Sequence, residues 1–181
     1  MIQNSFYSTE ELQTLGLKCF GNNVLISRFA RFYGAEYITI GDNVRIDDFC
    51  LLSGEIVLGS NIHISAYSAM YGKYGIEMGD YSGLSPRCTI FSASDDFSGE
   101  FLIGPMIDPR LTNVTGGRVV IGKYSQMGSG CVILPGSRIG DGVSVGAMSL
   151  VNHNLDDWAI YKGIPAVFYK ERSKKLLKLL E

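Results

Sequence analysis

An apolar residue returns at every sixth position along most of this chain. The series runs through Phe20, Ile26 and Phe32, then Ile40, Ile46 and Leu52, then Leu58, Ile64 and Met70. It slips by two residues after Phe32 and again after Met70, then resumes at Met78, Leu84 and Ile90. After a long interruption it returns at Ile121, Met127, Ile133, Ile139, Val145 and Val151. All eighteen positions are apolar in a chain that is 46% hydrophobic overall, which unconstrained sampling does not produce. A period of six fits neither a helix nor a plain hairpin array. It fits short strands separated by turns, three to a coil of about eighteen residues, with about six coils stacked in parallel.

Two further columns support that geometry. Glycine follows each coil's first apolar residue, at Gly21, Gly41, Gly59, Gly79, Gly122 and Gly140, where it is expected to supply corner backbone angles that a β-carbon forbids. Four residues after the repeating aliphatic sits a slim side chain: Val24, Ala30, Val44, Cys50, Ile62, Ser68, Ser82, Cys88, Ser125, Cys131, Val143 and Ser149. Three of the four cysteines fall in this column, and with no C-x-x-C pair all four, Cys19 included, read as reduced, buried thiols.

Outside the repeat, residues 1–19 carry Ser8 and Glu11 spaced as a capping box, so a short N-terminal helix is expected to cover the first coil. Residues 169–181, with Leu176, Leu177, Leu179 and Leu180 among Lys and Glu, predict an amphipathic C-terminal helix. The division is thus an N-terminal cap (1–19), a β-helix (20–168) interrupted by a loop at about 95–118, and a C-terminal helix (169–181).

A length of 181 residues suits one main domain, and a formal net charge of −2 gives no global case for nucleic acid or an anionic membrane. The N-terminus lacks the pattern of a secretory signal, and no apolar run approaches the roughly 20 residues of a membrane span. A cytoplasmic protein without membrane insertion is expected. With only His63 and His153, a three-histidine zinc site is disfavoured and no metal is expected.

The in-frame hexads, the mid-repeat loop and the stretch Ile160-Tyr161-Lys162-Gly163-Ile164-Pro165-Ala166 resemble the hexapeptide-repeat acyltransferases. The likeness is to the maltose and galactoside O-acetyltransferases and the nucleotide-sugar N-acetyltransferases, over about residues 20 to 172. It implies a left-handed coil, a homotrimer, and acetyl-CoA as co-substrate for acetylation of a sugar or amino sugar, in surface polysaccharide biosynthesis. It also places the pantetheine arm near Gly128, Ser129, Gly146 and Ala147, whose N–H groups would approach the thioester. The coenzyme's distal end would lie near Lys162, Gly163 and Pro165, with Arg172, Lys170, Lys174 or Lys175 meeting its phosphates. Trp158 would either stack on the coenzyme or close the last coil, packing being favoured.

The resemblance breaks at the base. Related sugar O-acetyltransferases carry histidine after a T-I-Y-x-x-x-H strand, whereas here Thr89-Ile90-Phe91-Ser92-Ala93-Ser94 leads to Asp95 and Asp96. An ordinary carboxylate is a weak base for a hydroxyl. Asp95 has a raised proton affinity helped by Asp96, or His63 acts as base across a subunit groove, or the acceptor is an amine that Asp95 or Asp96 orients. A non-catalytic binding solenoid is the alternative from another class.

Overall fold

The computed structural model describes residues 5–180 and is a parallel β-solenoid. One face stacks seven parallel strands in chain order: Leu25–Ile26, Val44–Ile46, Ile62–Ile64, Gly83–Leu84, Gln126–Met127, Ser144–Val145 and Ala159–Lys162. The other two faces share Leu51–Leu58 and Ala69–Met78, long strands that run round a corner and pair with different partners at each end. The expected coils are all present, and Leu155 with Ala159–Lys162 adds a further incomplete turn outside the six-residue rhythm.

The hexad residues form the interior. All are buried except Phe20 and Phe32, which belong to the first coil and pack against the core from its less covered end. All twelve residues of the slim column are buried as well, because two inward side chains per strand fill a narrow triangular section only if one is small. Cys50, Cys88 and Cys131 are buried there, while Cys19 is exposed, contrary to the expectation for all four thiols. Cys88 and Cys131 donate from Sγ to the carbonyls of Gly128 and Gly146, each at 3.1 Å.

The corner glycines serve a purpose different from the one expected. None of the six has positive φ. A β-carbon on Gly21, Gly59, Gly122 or Gly140 would instead stand 2.2–2.5 Å from the side-chain oxygen of an aspartate on the next coil. Those aspartates build a ladder: Asp42, Asp80, Asp141 and Asp157 each accept a backbone N–H from the coil before, from Asn22, Ser60, Lys123 and Asp141 respectively, at 2.6–2.9 Å. Close approach, with a charge-assisted hydrogen bond as its consequence, is why glycine is needed. The left-handed residues come two positions later, at Asn23, Asn43, Asn61, Tyr81, Tyr124 and Gly142, and again at Trp158 on the closing turn. Their side chains continue the stacking, by amide bonds from Asn23 to Asn43 and Asn43 to Asn61, then by rings from Tyr81 through Tyr124 to Trp158.

The N-terminal cap forms as the spacing predicts: helix Thr9–Leu12 opens on a complete Ser8/Glu11 capping box and buries Leu12. The C-terminus differs. Val167–Glu171 is a strand antiparallel to Ala159–Lys162, and only Lys175–Leu179 coils, as a 3-10 turn. Backbone groups at the open end of the solenoid have no coil beyond them, and a returning strand satisfies them where a helix would not.

Candidate active site

Every departure from the six-residue rhythm lies on one corner. After Phe32 the two extra residues make the turn Gly34 to Tyr37, with Ala35–Tyr37 as a 3-10 turn. After Met70 they make a bulge: Gly54 pairs with Gly72 and Ile56 with Ile76, leaving Lys73, Tyr74 and Gly75 opposite Glu55 alone. One coil further on, the inserted loop leaves from the same corner. Its base is tied by Ala93–Ser94 pairing antiparallel with Thr115–Gly116. Tyr74 fastens it twice, through its N–H to Ser92 Oγ at 2.8 Å and its hydroxyl to the Val114 carbonyl at 3.1 Å. A β-carbon on Gly116 would lie 2.2 Å from the Ser92 carbonyl oxygen, so this crossing requires glycine.

Asp95, half-buried, emerges from that base and lines two cavities of about 590 Å³ each. The first lies beneath the loop and is walled by Tyr71, Lys73, Pro105, Ile107, Thr112 and others; its only charged side chains are Lys73 and Asp95. The second is walled by Phe91, Phe97, Leu134, Pro135 and Asn152, and Asp95 is its only charge. Ala93, Ser94 and Asp95 are common to both. Tyr71 and Phe91, one in each cavity, are stacked on one another.

Asp96 does not share the site. Its carboxylate accepts from the hydroxyl and N–H of Ser98, at 2.5 and 2.8 Å, and from Asn113 Nδ2 at 3.2 Å. These bonds hold its carboxyl below the usual range, Ser98 Oγ contributing most, so it pins the two limbs of the loop and is no proton reservoir for its neighbour. His63 sits on another face, in Ile62–Ile64, and lines neither of Asp95's cavities. Its Nε2 meets Asp47 Oδ2 at 2.7 Å, while Arg45 donates to Asp47 Oδ1 at 2.7 Å. Burial pulls the Asp47 carboxyl up, but those two bonds outweigh it and hold it low. His153 is exposed beside Asn152.

The expected coenzyme residues divide. Gly128 and Gly146 donate their N–H groups to Val145 and Tyr161 within the stack, at 2.8 Å each. Among the described residues the N–H groups of Ser129 and Ala147 make no such bond, so these two are the available donors. Gly163, at φ 107°, donates to Ser149 Oγ at 3.0 Å, and Ala166, after the cis Ile164–Pro165 bond, donates to the Leu150 carbonyl. The Lys162 ammonium lies 3.7 Å from the centre of the Tyr169 ring. Arg172 has a structural assignment: one guanidinium nitrogen donates to the carbonyls of Tyr124, Gly142 and Val143 at 2.7, 3.0 and 3.4 Å, and burial lowers its proton affinity. Trp158 stands over Gly142 against Tyr124, as the packing alternative requires, with the Lys174 ammonium 5.5 Å from its ring. Tyr71 in the sequence is a candidate outer-face aromatic and Lys73 carries no motif; the signal that both belong to the site is the slip after Met70, since a slip marks a bulge.

Parallel six-residue coils interrupted by an inserted loop are the pattern that the resemblance to the hexapeptide-repeat acyltransferases implies. Residues 117–153 match the family described as bacterial transferase hexapeptide (six repeats). The chain is 41% identical to the dTDP-4-amino-4,6-dideoxy-D-glucose acyltransferase of Escherichia coli, over 93% of this chain and 90% of that one. The chain therefore belongs to the hexapeptide-repeat acyltransferase family. It is also similar to AntD, an N-acyltransferase from Bacillus cereus solved with dTDP-4-amino-4,6-dideoxyglucose and coenzyme A, at 48% identity, TM-score 0.95, and 98% and 96% coverage. The same Bacillus cereus protein has been solved with dTDP and 3-hydroxybutyryl-CoA. A hexapeptide-repeat acetyltransferase from Vibrio cholerae, VCA0836, shares the fold at 19% identity and TM-score 0.59, covering 91% of this chain and 80% of that one. Family membership sets aside the non-catalytic solenoid: the chain is an acyltransferase. Among the described residues no helix is long and apolar enough to cross a membrane.

Proposed function

We propose that this enzyme transfers an acyl group from an acyl-CoA thioester to the amine of a nucleotide-linked amino sugar, with Asp95 receiving the amine. The observation that carries this reading is the position of Asp95 at the junction of two cavities, one of which would take the acceptor and the other the donor. A carboxylate is a poor base for a hydroxyl but a good acceptor for an amine N–H. A neutral amine needs orientation more than deprotonation, so the amine account is favoured over a strong base supplied by Asp95 or by His63 of a neighbouring subunit.

In the reaction, the amine lone pair attacks the thioester carbon, the C–N bond forms, and the carbonyl electrons move to oxygen. The N–H groups of Ser129 and Ala147, which line neither cavity of their own chain, would stabilise that oxyanion from a neighbouring subunit. Collapse breaks the C–S bond, and the departing thiolate takes the proton lost by nitrogen. AntD has been solved with a serine and with an aspartate substituted, ten positions apart. Ser85 and Asp95 have that same spacing here, in a likeness covering 98% of the chain. Ser85 Oγ accepts from Gln126 Nε2 at 3.1 Å on the face that carries the donor corner.

The donor is a short acyl-CoA, either acetyl-CoA or a longer thioester such as the 3-hydroxybutyryl-CoA solved with AntD. Gly128, Gly146, Lys162, Gly163 and Pro165 would line its path, with the glycines allowing close approach. The assembly is a homotrimer: Phe97 and Met106 on the loop are 87% and 93% exposed, and Phe29, Phe49 and Tyr67 form an uncovered ring column along one corner. The reaction belongs in the cytoplasm, where acyl-CoA and nucleotide sugars are made, and its amide product suits surface polysaccharide assembly. The test is thiol release from acetyl-CoA and 3-hydroxybutyryl-CoA against dTDP-linked 4-amino sugars and plain glycosides. Turnover with the amino sugars is expected; turnover with hydroxyl acceptors alone would overturn the reading.

A further inference from the structure

We infer that Lys73 holds the diphosphate of the nucleotide-sugar acceptor, an inference that rests on the reading above. The cavity beneath the loop carries two charged side chains of opposite sign, Lys73 and Asp95. A nucleotide-linked amino sugar has a matching polarity, with an amine at one end and a diphosphate at the other. If Asp95 takes the amine, the diphosphate reaches the part of the cavity where Lys73 stands.

The neighbouring cations are already engaged. Arg118 pairs with Glu55 at 2.6 Å and Arg110 with Asp108 at 2.5 Å. Lys73 makes no ion pair among the described residues. The bulge explains why a lysine stands here at all. In an unbroken hexad the chain would turn at Gly72 as it does at Gly54, whereas the two added residues carry Lys73 outward onto the cavity wall. Tyr74, the next residue, then ties that bulge to Ser92 and Val114 at the loop base, so the lysine's backbone is anchored to the same element that carries Asp95.

The experiment measures dTDP binding by calorimetry, with acylation kinetics alongside, for wild type, Lys73→Met and Lys73→Arg. Loss of one charge-assisted contact should weaken dTDP by about tenfold to a hundredfold. KM for the nucleotide sugar should rise in step with kcat nearly unchanged, Lys73→Arg should retain most of the affinity, and coenzyme A affinity and the thermal midpoint should stay at wild-type values. Equal dTDP affinity in Lys73→Met and wild type, or no dTDP binding by wild type, overturns the inference. The two readings fail separately. Lys73-dependent dTDP binding without acylation of any amine supports the phosphate site and removes the reaction. Amine acylation with Lys73-independent dTDP binding does the reverse.

Discussion

Tyr71 and Phe91 stack on adjacent coils with ring centroids 5.2 Å apart and planes 5° from parallel. Each ring faces a different cavity, so together with Ala93, Ser94 and Asp95 the pair forms the partition between them. A rigid partition matters because acyl transfer needs donor and acceptor held apart except at the reacting atoms.

Phe91→Ala should therefore join the two cavities. Losing a stacked aromatic ring costs about 1–2 kcal/mol of stability. The more specific expectation is a rise in KM for both substrates, measured by steady-state kinetics with a folded variant. A change confined to the thermal midpoint would mean that the stack only supports the coil.

Asp95 and Asp96, adjacent in sequence, should respond differently. Asp95→Asn should lower kcat/KM by about a hundredfold or more, with coenzyme affinity retained. Asp96→Asn removes the acceptor for Ser98 and Asn113 and should loosen the loop, raising acceptor KM with a smaller effect on kcat. Kinetics of both variants with one amino-sugar acceptor decide the matter; matched losses would contradict the separate roles.

Arg172 crosses from the returning C-terminal strand to three carbonyls of two coils. Arg172→Ala should lower stability by about 2 kcal/mol, since the carbonyls lose a charged donor. Coenzyme A affinity, measured by calorimetry at a temperature where the variant is folded, should be nearly unchanged. A large loss of affinity with normal stability would restore the phosphate role.

The N-terminal cap should loosen in acid. Glu11 is held down to about 2 from an ordinary 4.5, chiefly by the Arg28 guanidinium and then by the Ser8 N–H. A carboxylate with a lowered folded pKa contributes stability that is complete above its unfolded value and is lost as pH falls. For Glu11 the window runs from 4.5 down to about 2. Protection of the amides of residues 8–15, relative to intrinsic exchange, should fall across that window, and Glu11→Gln should already be weakened at neutral pH.

The solenoid was legible in the chain because one rule, repeated, specifies it: an aliphatic every sixth residue and a slim partner four positions on can only be buried together in a narrow coil. The Ser8 capping box was legible for the same reason, being local. The corner glycines stand out in the sequence but their cause does not, since it is an aspartate side chain about twenty residues away, as in Asp42 or Asp80, a contact the local sequence does not display. The C-terminal leucines suggested a helix, but the unpaired backbone of Ala159–Lys162 offered strand pairing instead, and that demand exists only once the stack is built. The site divides in the same way. Asp95 was found by its place in the order of the chain, at the loop entrance. Its separation from Asp96, the commitment of Arg172 to carbonyls, and the meeting of Tyr71, Lys73 and Asp95 around one cavity were decided by tertiary structure, because stacking brings together residues a coil apart whose side-chain directions no repeat encodes.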